Sequence, residues 1–500
     1  MSSNSTTLEA YFQRFRDQII GQDATFTGPY GEKRILYCDW TASGRLYRLI
    51  EEKLTQDFGP FVANTHTETS ITGTLMTMAY HKAKEIIKQH VHAGPDDCLI
   101  AYGSGMTGAI NKFQRILGLR VPEHFSEKFQ LAEADRPVVF VTHMEHHSNH
   151  TSWLETIAEV VRIEADEQGL VDLDSLEHLL KQYKNRLIKI AAVTACSNVS
   201  GIQTPYHAIA AIMHRSGGLC FVDFACSAPY VPIDMHPKDP LEHLDAIYFS
   251  PHKFLGGPGS PGILIFNTAL YHNRIPDNPG GGTVKWTNPW REHEYIDSIE
   301  EREDGGTPPF LQTIKAALCV RLKEQMGIGN MLAREKEIMH GILFSHLKHI
   351  PNLHLLAGHI EQRLGVFSFY IDGLHFNLGV KLLNDRFGIQ VRGGCSCAGT
   401  YGHYLLNIDE RHSHMLTAEI HKGNLSLKPG WIRLSIHPTH TDEEMHFVCD
   451  AIEALCMHFR EWQNDYLYDV HTNEFVHKEY RGNEQNLVCD MFDFEPVMAF

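Results

Sequence analysis

The sequence lacks any apolar run near the roughly 18 to 20 residues that a bilayer-spanning helix requires. Its opening, MSSNSTTLEAYFQRF, has no basic segment leading into an apolar one, so no secretory signal is expected. Positive charge is in the minority: 44 Lys and Arg stand against 61 Asp and Glu, a formal net charge of -17. Such a surface is not built to neutralise phosphate backbones or anionic lipid, so neither nucleic acid nor a membrane is expected as a partner. Cysteine is sparse, scattered and odd in number, with 11 in 500 residues. That fits reduced thiols in a cytoplasm better than a disulfide framework. Internal repeats and low-complexity tracts are absent too.

What is present is an ordinary globular composition, 43% hydrophobic and 21% charged, with 33 histidines as the unusual entry. The length predicts two or three structural units. From about Arg34 to Phe266, short apolar runs (LIAYG, VVFVTH, KIAAVTA, LCFVDFA, AIYFS) alternate with amphipathic stretches. Near-continuous apolar strands separated by helices predict an α/β unit with a mainly parallel sheet covered on both faces. Ligands of such sheets sit beyond the carboxyl ends of the strands. Gly280, Gly281 and Gly282 read as a loop, and a helical stretch is expected from Phe310 to Lys348. LGVFSFYI, GIQVRGG and WIRLSIH then read as strands of a smaller α+β unit, with a helix from Asp442 to Gln463. The division expected is an N-terminal segment 1–34 packing on the small unit, a large domain 35–308, a small domain 309–465 and an extension 466–500.

Four segments carry chemistry at the strand ends. In AIYFSPHKFLGGPGSPG, Lys253 follows a strand and precedes a glycine-rich turn, with Ser250 and His252 beside it as phosphate donors. A lysine in such surroundings can lose its proton and attack an aldehyde, the way pyridoxal 5′-phosphate (PLP) is anchored as a Schiff base. LCFVDFACSA ends a buried strand on Asp223, a costly position unless the carboxylate is paired. A PLP pyridine nitrogen would pair with it, and a helix N-cap is the plainer reading. AYGSGMTGAINKF is a glycine-rich turn opening a helix, where free N–H groups and the Thr107 hydroxyl could grip a phosphate. In VTHMEHHSNH, His143, His146, His147 and His150 fall at helical spacing. They could be metal ligands, surface histidines, or a source for one imidazole stacked on a cofactor ring.

Together these motifs resemble the class V (fold type I) PLP-dependent aminotransferase superfamily, in its cysteine desulfurase and selenocysteine lyase branch, from about Tyr37 to Glu444. YCDWTASG resembles the family's opening Asp-Ser-Ala-Ala segment, and Asn64 to His66 its Asn-Pro-His. GMTGAIN resembles the phosphate loop, which implies Met106 and Thr107 at the phosphate. MEHHSN resembles Met-Glu-His-His-Ala-Asn, implying His146 as the ring-stacking residue and an acid or base. SNVSG implies Asn198 near the ring hydroxyl, where Cys226 replaces a usual Gln. DGGTP resembles Ala-Gly-Thr-Pro, whose Thr, here Thr307, reaches the phosphate of the other subunit and implies a homodimer with shared active sites. QVRGGCSCAG resembles the desulfurase segment Arg-Thr-Gly-His-His-Cys-Ala, aligning Cys397 with the nucleophilic cysteine. Arg433 matches the arginine for the substrate carboxylate, and the resemblance places Asn64 and His66 with it.

The implied function is PLP-dependent removal of sulfur or selenium from cysteine or selenocysteine, leaving alanine, with a Cys397 persulfide and a possible sulfur-acceptor protein. Alternatives stay open. A class V aminotransferase, epimerase or carbon–sulfur lyase would use the same PLP site without Cys397, and a metallohydrolase on the histidine face would not need Lys253. Pro251 replaces a common Gly, and Cys395 replaces a His. Cys395, Cys397 and His403 could instead form a metal site, and the Cys-x-Cys pair also resembles molybdenum-cofactor sulfurases.

Overall fold

The computed structural model describes residues 7–494, apart from 66, 127 and 130. Its centre is a seven-stranded sheet of β1 (Asp97–Tyr102), β2 (Val138–Thr142), β3 (Glu159–Ile163), β4 (Lys189–Thr194), β5 (Leu219–Asp223), β6 (Ala246–Phe249) and β7 (Gly262–Asn267). The order across it is β1-β7-β6-β5-β4-β2-β3. Only β7 runs against the others: it pairs antiparallel with both β1 and β6, while β6-β5-β4-β2-β3 are parallel throughout. Apolar side chains on both faces of β2 and β4 are buried, as expected for strands that feed two cores at once.

Four helices frame the sheet's active edge. Helix α1 (Ile71–His90) packs against α4 (Phe310–Met326), α2 (Met106–Ile116) follows β1, and α3 (His147–Leu154) follows β2. Helix α2 presents Ala109, Ile110, Phe113 and Ile116 to the sheet core, the spacing of one helical face. The helical stretch expected from Phe310 to Lys348 is interrupted: α4 ends at Gly327, whose φ of +76° favours glycine.

A second core surrounds a four-stranded antiparallel sheet of β8 (Leu353–Leu355), β9 (Val366–Ile371), β10 (Arg392–Gly394) and β11 (Trp431–Ser435), in the order β8-β9-β11-β10. The GIQVRGG strand divides. Ile389–Gln390 pairs in parallel with Leu36–Tyr37, and β10 pairs with β11. Helix α5 (Gly399–Leu405) follows the turn after β10, and α6 (Asp442–Trp462) buries its apolar face in the same core as this sheet. Helix α6 starts on a capping box, in which Thr441 Oγ1 accepts from the Glu444 N–H and the Glu444 carboxylate accepts from the Thr441 N–H. Arg16, from the N-terminal helix Leu8–Arg16, donates to Glu444 at 2.8 Å and ties that helix to this unit. Among the described residues no helix is long and apolar enough to cross a membrane.

Candidate active site

The carboxyl ends of β1, β2, β4, β5 and β6 surround a cavity of about 260 Å³, closed on its far side by the β10–α5 turn and by Arg433 of β11. Lys253 stands in a short turn after β6 and is half-buried against the cavity, and desolvation there pushes its amine below the ordinary lysine range. Glycine is required just beyond it: a Cβ on Gly257 would lie 1.8 Å from the Pro251 carbonyl oxygen. Asp223 ends β5 and accepts a 2.8 Å hydrogen bond from the Ala225 N–H. Burial pushes its carboxyl up to about 6, against the opposing effects of that bond and of the Lys253 charge.

The start of α2 forms a second wall. Met106 N donates to Ser250 Oγ at 2.8 Å, and Thr107 Oγ1 lies 2.7 Å from Ser148 Oγ. A Cβ on Gly105 would meet His252 Cε1 at 2.8 Å, so the backbone approaches this wall as only glycine permits. His252 Nδ1 donates to the Ser104 carbonyl at 3.0 Å, and burial and Lys253 hold its ring towards the neutral form. Its free Nε2 can therefore donate to a phosphate only after taking up a proton.

The four motif histidines do not share a helical face, because the helix starts only at His147. His146 is its N-cap and accepts from the Ser148 N–H through Nδ1 at 3.1 Å. It lines the cavity, and burial, with the nearby Lys253 charge, lowers its pKa to about 3. The ring is thus neutral near pH 7, suited to stacking. His143 donates to the Gly169 carbonyl at 3.2 Å and packs on Tyr401 and Tyr404. His147 Nε2 accepts from the Gly399 N–H at 2.9 Å, and His150 Nδ1 lies 3.2 Å from Thr400 Oγ1. Each ring is engaged with a partner of its own, and among the described residues these four do not gather their ligand atoms around one point, which removes the metal reading of the segment. Among the described residues, two other groups gather ligand atoms: His214, His243 and Asp245, and His346, Asp450 and Glu453. In the first, the two rings stack at 3.9 Å and 5°, so their in-plane lone pairs cannot meet on one ion.

Cys397 is exposed at the cavity mouth, and Cys395 is half-buried and outside the lining. His403 is engaged at both nitrogens, by the Gly399 carbonyl and Ser413 Oγ, each at 2.8 Å, and so does not face Cys395 as a free ligand. Ser396 and Cys397 have φ of 51° and 56°, a left-handed pair of non-glycine residues that costs about 1 kcal/mol each. Asn198 Nδ2 holds the Ser396 carbonyl at 2.7 Å, while its own Oδ1 is buried without a partner. Arg433 donates to Asp39 at 2.6 Å and to the Asn198 carbonyl at 3.2 Å, and its buried Nε is unpartnered. Cys226 is buried in the lining, its Sγ 3.8 Å from the Ser197 carbonyl oxygen.

Residues 36–448 match the family model described as aminotransferase class-V. The chain belongs to that family. A "Probable cysteine desulfurase" of Halalkalibacterium halodurans is 27% identical over 372 residues, 73% of this chain and 84% of that protein. A cysteine desulfurase of Haloferax volcanii is 24% identical, with 76% and 84% covered. Among solved structures, a Thermococcus onnurineus cysteine desulfurase in its apo form superposes with a TM-score of 0.70 at 21% identity, covering 89% of this chain and 98% of that one. An Escherichia coli cysteine desulfurase gives 0.67 at 22%, with 90% and 98% covered. The fold is that of fold type I enzymes, and membership of class V makes the chain a PLP-dependent enzyme.

The side chains suit that cofactor. A half-buried, easily deprotonated lysine, a buried carboxylate, a helix N-terminus and the orphaned Asn198 Oδ1 open into one cavity. Eleven expected residues line it: Met106, Thr107, His146, Asn198, Asp223, Cys226, Ser250, His252, Lys253, Cys397 and Arg433. Thr307 and Asn64 are outside it. They are exposed and paired with each other, Thr307 Oγ1 donating to Asn64 Oδ1 at 3.3 Å. His66 lies outside the described residues. Sequence reasoning missed Arg392 and the salt-bridge partner Asp39, and nothing local in the sequence signals that pairing. It also missed Glu145, which sits inside the motif that supplied His146.

Proposed function

We propose that the protein is a cysteine desulfurase that takes sulfur, or selenium from selenocysteine, off the substrate side chain and leaves alanine. The observation that carries this reading is the placing of Cys397, an exposed thiol on a turn at the mouth of the same cavity that Lys253 and Asp223 line. When bound, PLP supplies the electron sink that acidifies the substrate α-carbon and loosens its side-chain bond. Lys253 would hold the cofactor and, once released, its neutral amine would move the α-proton. Asp223 would keep the pyridine nitrogen protonated, and His146 would stack on the ring. Met106, Thr107, Ser250 and His252 form the wall suited to the phosphate, and Asn198 and Cys226 lie where the ring hydroxyl is expected. Arg433 would take the substrate carboxylate through its unpartnered Nε.

Cys397 then removes the sulfur. Its thiolate forms an S–S bond to the substrate sulfur as the carbon–sulfur bond breaks, and the electron pair of that bond leaves with carbon and is protonated. The balance is cysteine plus the Cys397 thiol giving alanine plus the Cys397 persulfide. A small thiol or an acceptor protein would discharge it. The functional unit proposed is a homodimer in which Thr307 serves the partner's site, which is supported by its exposure away from its own cavity. The test is incubation of the purified, PLP-loaded protein with cysteine and a reductant, with alanine and sulfide measured. Cys397→Ser should lose activity by orders of magnitude and keep the cofactor's visible absorbance, while Cys395→Ser should keep at least about a tenth. If neither thiol carries sulfur and the double variant works normally, the desulfurase reading is wrong.

A further inference from the structure

The Cys397 turn is an expensive conformation with an identifiable holder. Two successive residues, Ser396 and Cys397, are left-handed, and neither is glycine. Such a pair persists only where its surroundings over-determine it. Besides Asn198, which takes the Ser396 carbonyl, the residue that does so lies in neither the turn nor β10. The His147 backbone N–H donates to the Cys397 carbonyl at 2.7 Å, and the His147 ring accepts from the Gly399 N–H at 2.9 Å. One residue thus grips the chain on both sides of Ala398. A Cβ on Gly399 would come within 3.1 Å of His147 Nε2, so the fit allows little slack.

We propose that His147 is a positioning residue that clasps the Cys397 turn and fixes the thiol relative to the cofactor cavity. His147 is the first residue of α3, and its neighbour His146, the N-cap, lines the cavity. Neighbouring residues at one helix start therefore address the cofactor and the thiol, and the distance between them is set by a rigid element rather than a loop. The acceptor role dictates the ring's tautomer: the Gly399 group that meets Nε2 is an N–H, so Nε2 carries the lone pair and Nδ1 the proton. His150, one turn further along, adds its contact to Thr400. The inference rests on the desulfurase reading for its catalytic consequence, but the clasp itself does not.

Two variants separate the acceptor from bulk. His147→Leu removes the acceptor and retains an apolar body of similar reach, whereas His147→Gln returns an oxygen near the Nε2 position. Both keep the backbone bond to Cys397. Three quantities are read on the PLP-loaded protein: the cofactor's visible absorbance, alanine formation from cysteine, and the rate at which iodoacetamide alkylates Cys397, followed by peptide mass spectrometry. The Leu variant should keep the absorbance and hold KM within about twofold while kcat falls at least about tenfold. Its Cys397 should alkylate several-fold faster, and Gln should restore both quantities most of the way. A Leu variant with wild-type kcat and alkylation rate overturns the clasp, as do Leu and Gln variants that fail alike. If His147→Leu loses the cofactor, His147→Asn, too short to reach Gly399, takes its place in the same comparison. If the unmodified protein makes no alanine, the desulfurase reading falls, and the alkylation contrast still decides the clasp.

Discussion

Asp223 carries two opposed demands on one side chain. Ionised, it would be the partner of a protonated pyridine nitrogen in the proposed function. In the cofactor-free protein, burial pushes its carboxyl up to about 6, so the ionised form destabilises the fold. The folded pKa lies above the unfolded one, so the folded state holds the extra proton between about pH 4 and 6. Stability is therefore lost as pH rises through that window, by about 3 kcal/mol at this residue. Asp223→Asn should raise the urea midpoint of the cofactor-free protein at pH 7 and flatten its change between pH 4 and 6. The same substitution should cut turnover of the loaded enzyme at least about a hundredfold, as removal of a key electrostatic partner does. Normal turnover in Asp223→Ala would reduce this residue to a cap. Residues of this kind were legible from the chain alone, since a buried Asp or a Lys beside glycines needs a chemical reason. Asp39 was not: its meaning comes from Arg433, 394 positions away, which it binds at 2.6 Å. His147 was legible as a histidine but not as a clasp, because its partners lie on a turn some 250 residues further on.

Elements were read best where burial is simplest. Continuous apolar runs gave β1, β2, β4, β5 and β6, whose carboxyl ends meet at the cavity. The reversal of β7 was invisible, since an apolar strand reads alike in either direction. The metal reading of the histidine segment failed for an element-level reason: periodicity alone does not say where a helix begins. What fixes that segment is Glu145, fully buried, whose carboxyl is pushed up to about 8 by burial. Its Oε1 accepts from Thr142 Oγ1 at 2.7 Å and Thr194 N at 2.9 Å, and its Oε2 from Asn149 Nδ2 at 2.7 Å. It thereby locks the end of β2 to the end of β4 just before His146. Glu145→Ala leaves those donors unsatisfied over a new cavity and should cost about 3 kcal/mol in urea unfolding of the loaded protein. Glu145→Gln, still able to accept from Thr142 and Thr194, should cost less than half as much. Equal losses for the two would show that volume, rather than the hydrogen bonds, sets this turn.

At the scale of the whole molecule, one chain supplies most of a site but not all that the sequence marks out. Thr307 and Asn64 pair with each other on an exposed surface, away from the cavity that holds Lys253. Close to Asn64 in sequence, Phe61, Val62, Ile71 and Met78 also present apolar side chains to solvent. Exposed apolar residues beside a polar pair, with the wall proposed for the phosphate elsewhere, are what a shared site would leave on each isolated subunit. A two-fold dimer would bring the Thr307 of each chain to the other's cavity, and subunit complementation tests this directly. Lys253→Ala should be inactive because it cannot anchor the cofactor, and Thr307→Ala should bind PLP weakly in both of its sites. Mixed and allowed to exchange, the two variants form hybrid dimers in which one site combines an intact Lys253 with an intact Thr307 from the partner. Random exchange at equal amounts should restore about a quarter of the unmodified activity, since half of the dimers are hybrids and each has one complete site. If Thr307 instead served its own subunit, the hybrid would still contain one intact lysine and one defective threonine in the same site. The mixture would then gain nothing over Thr307→Ala alone. Light scattering at the assay concentration supplies the control, and an active monomer would remove the shared site altogether.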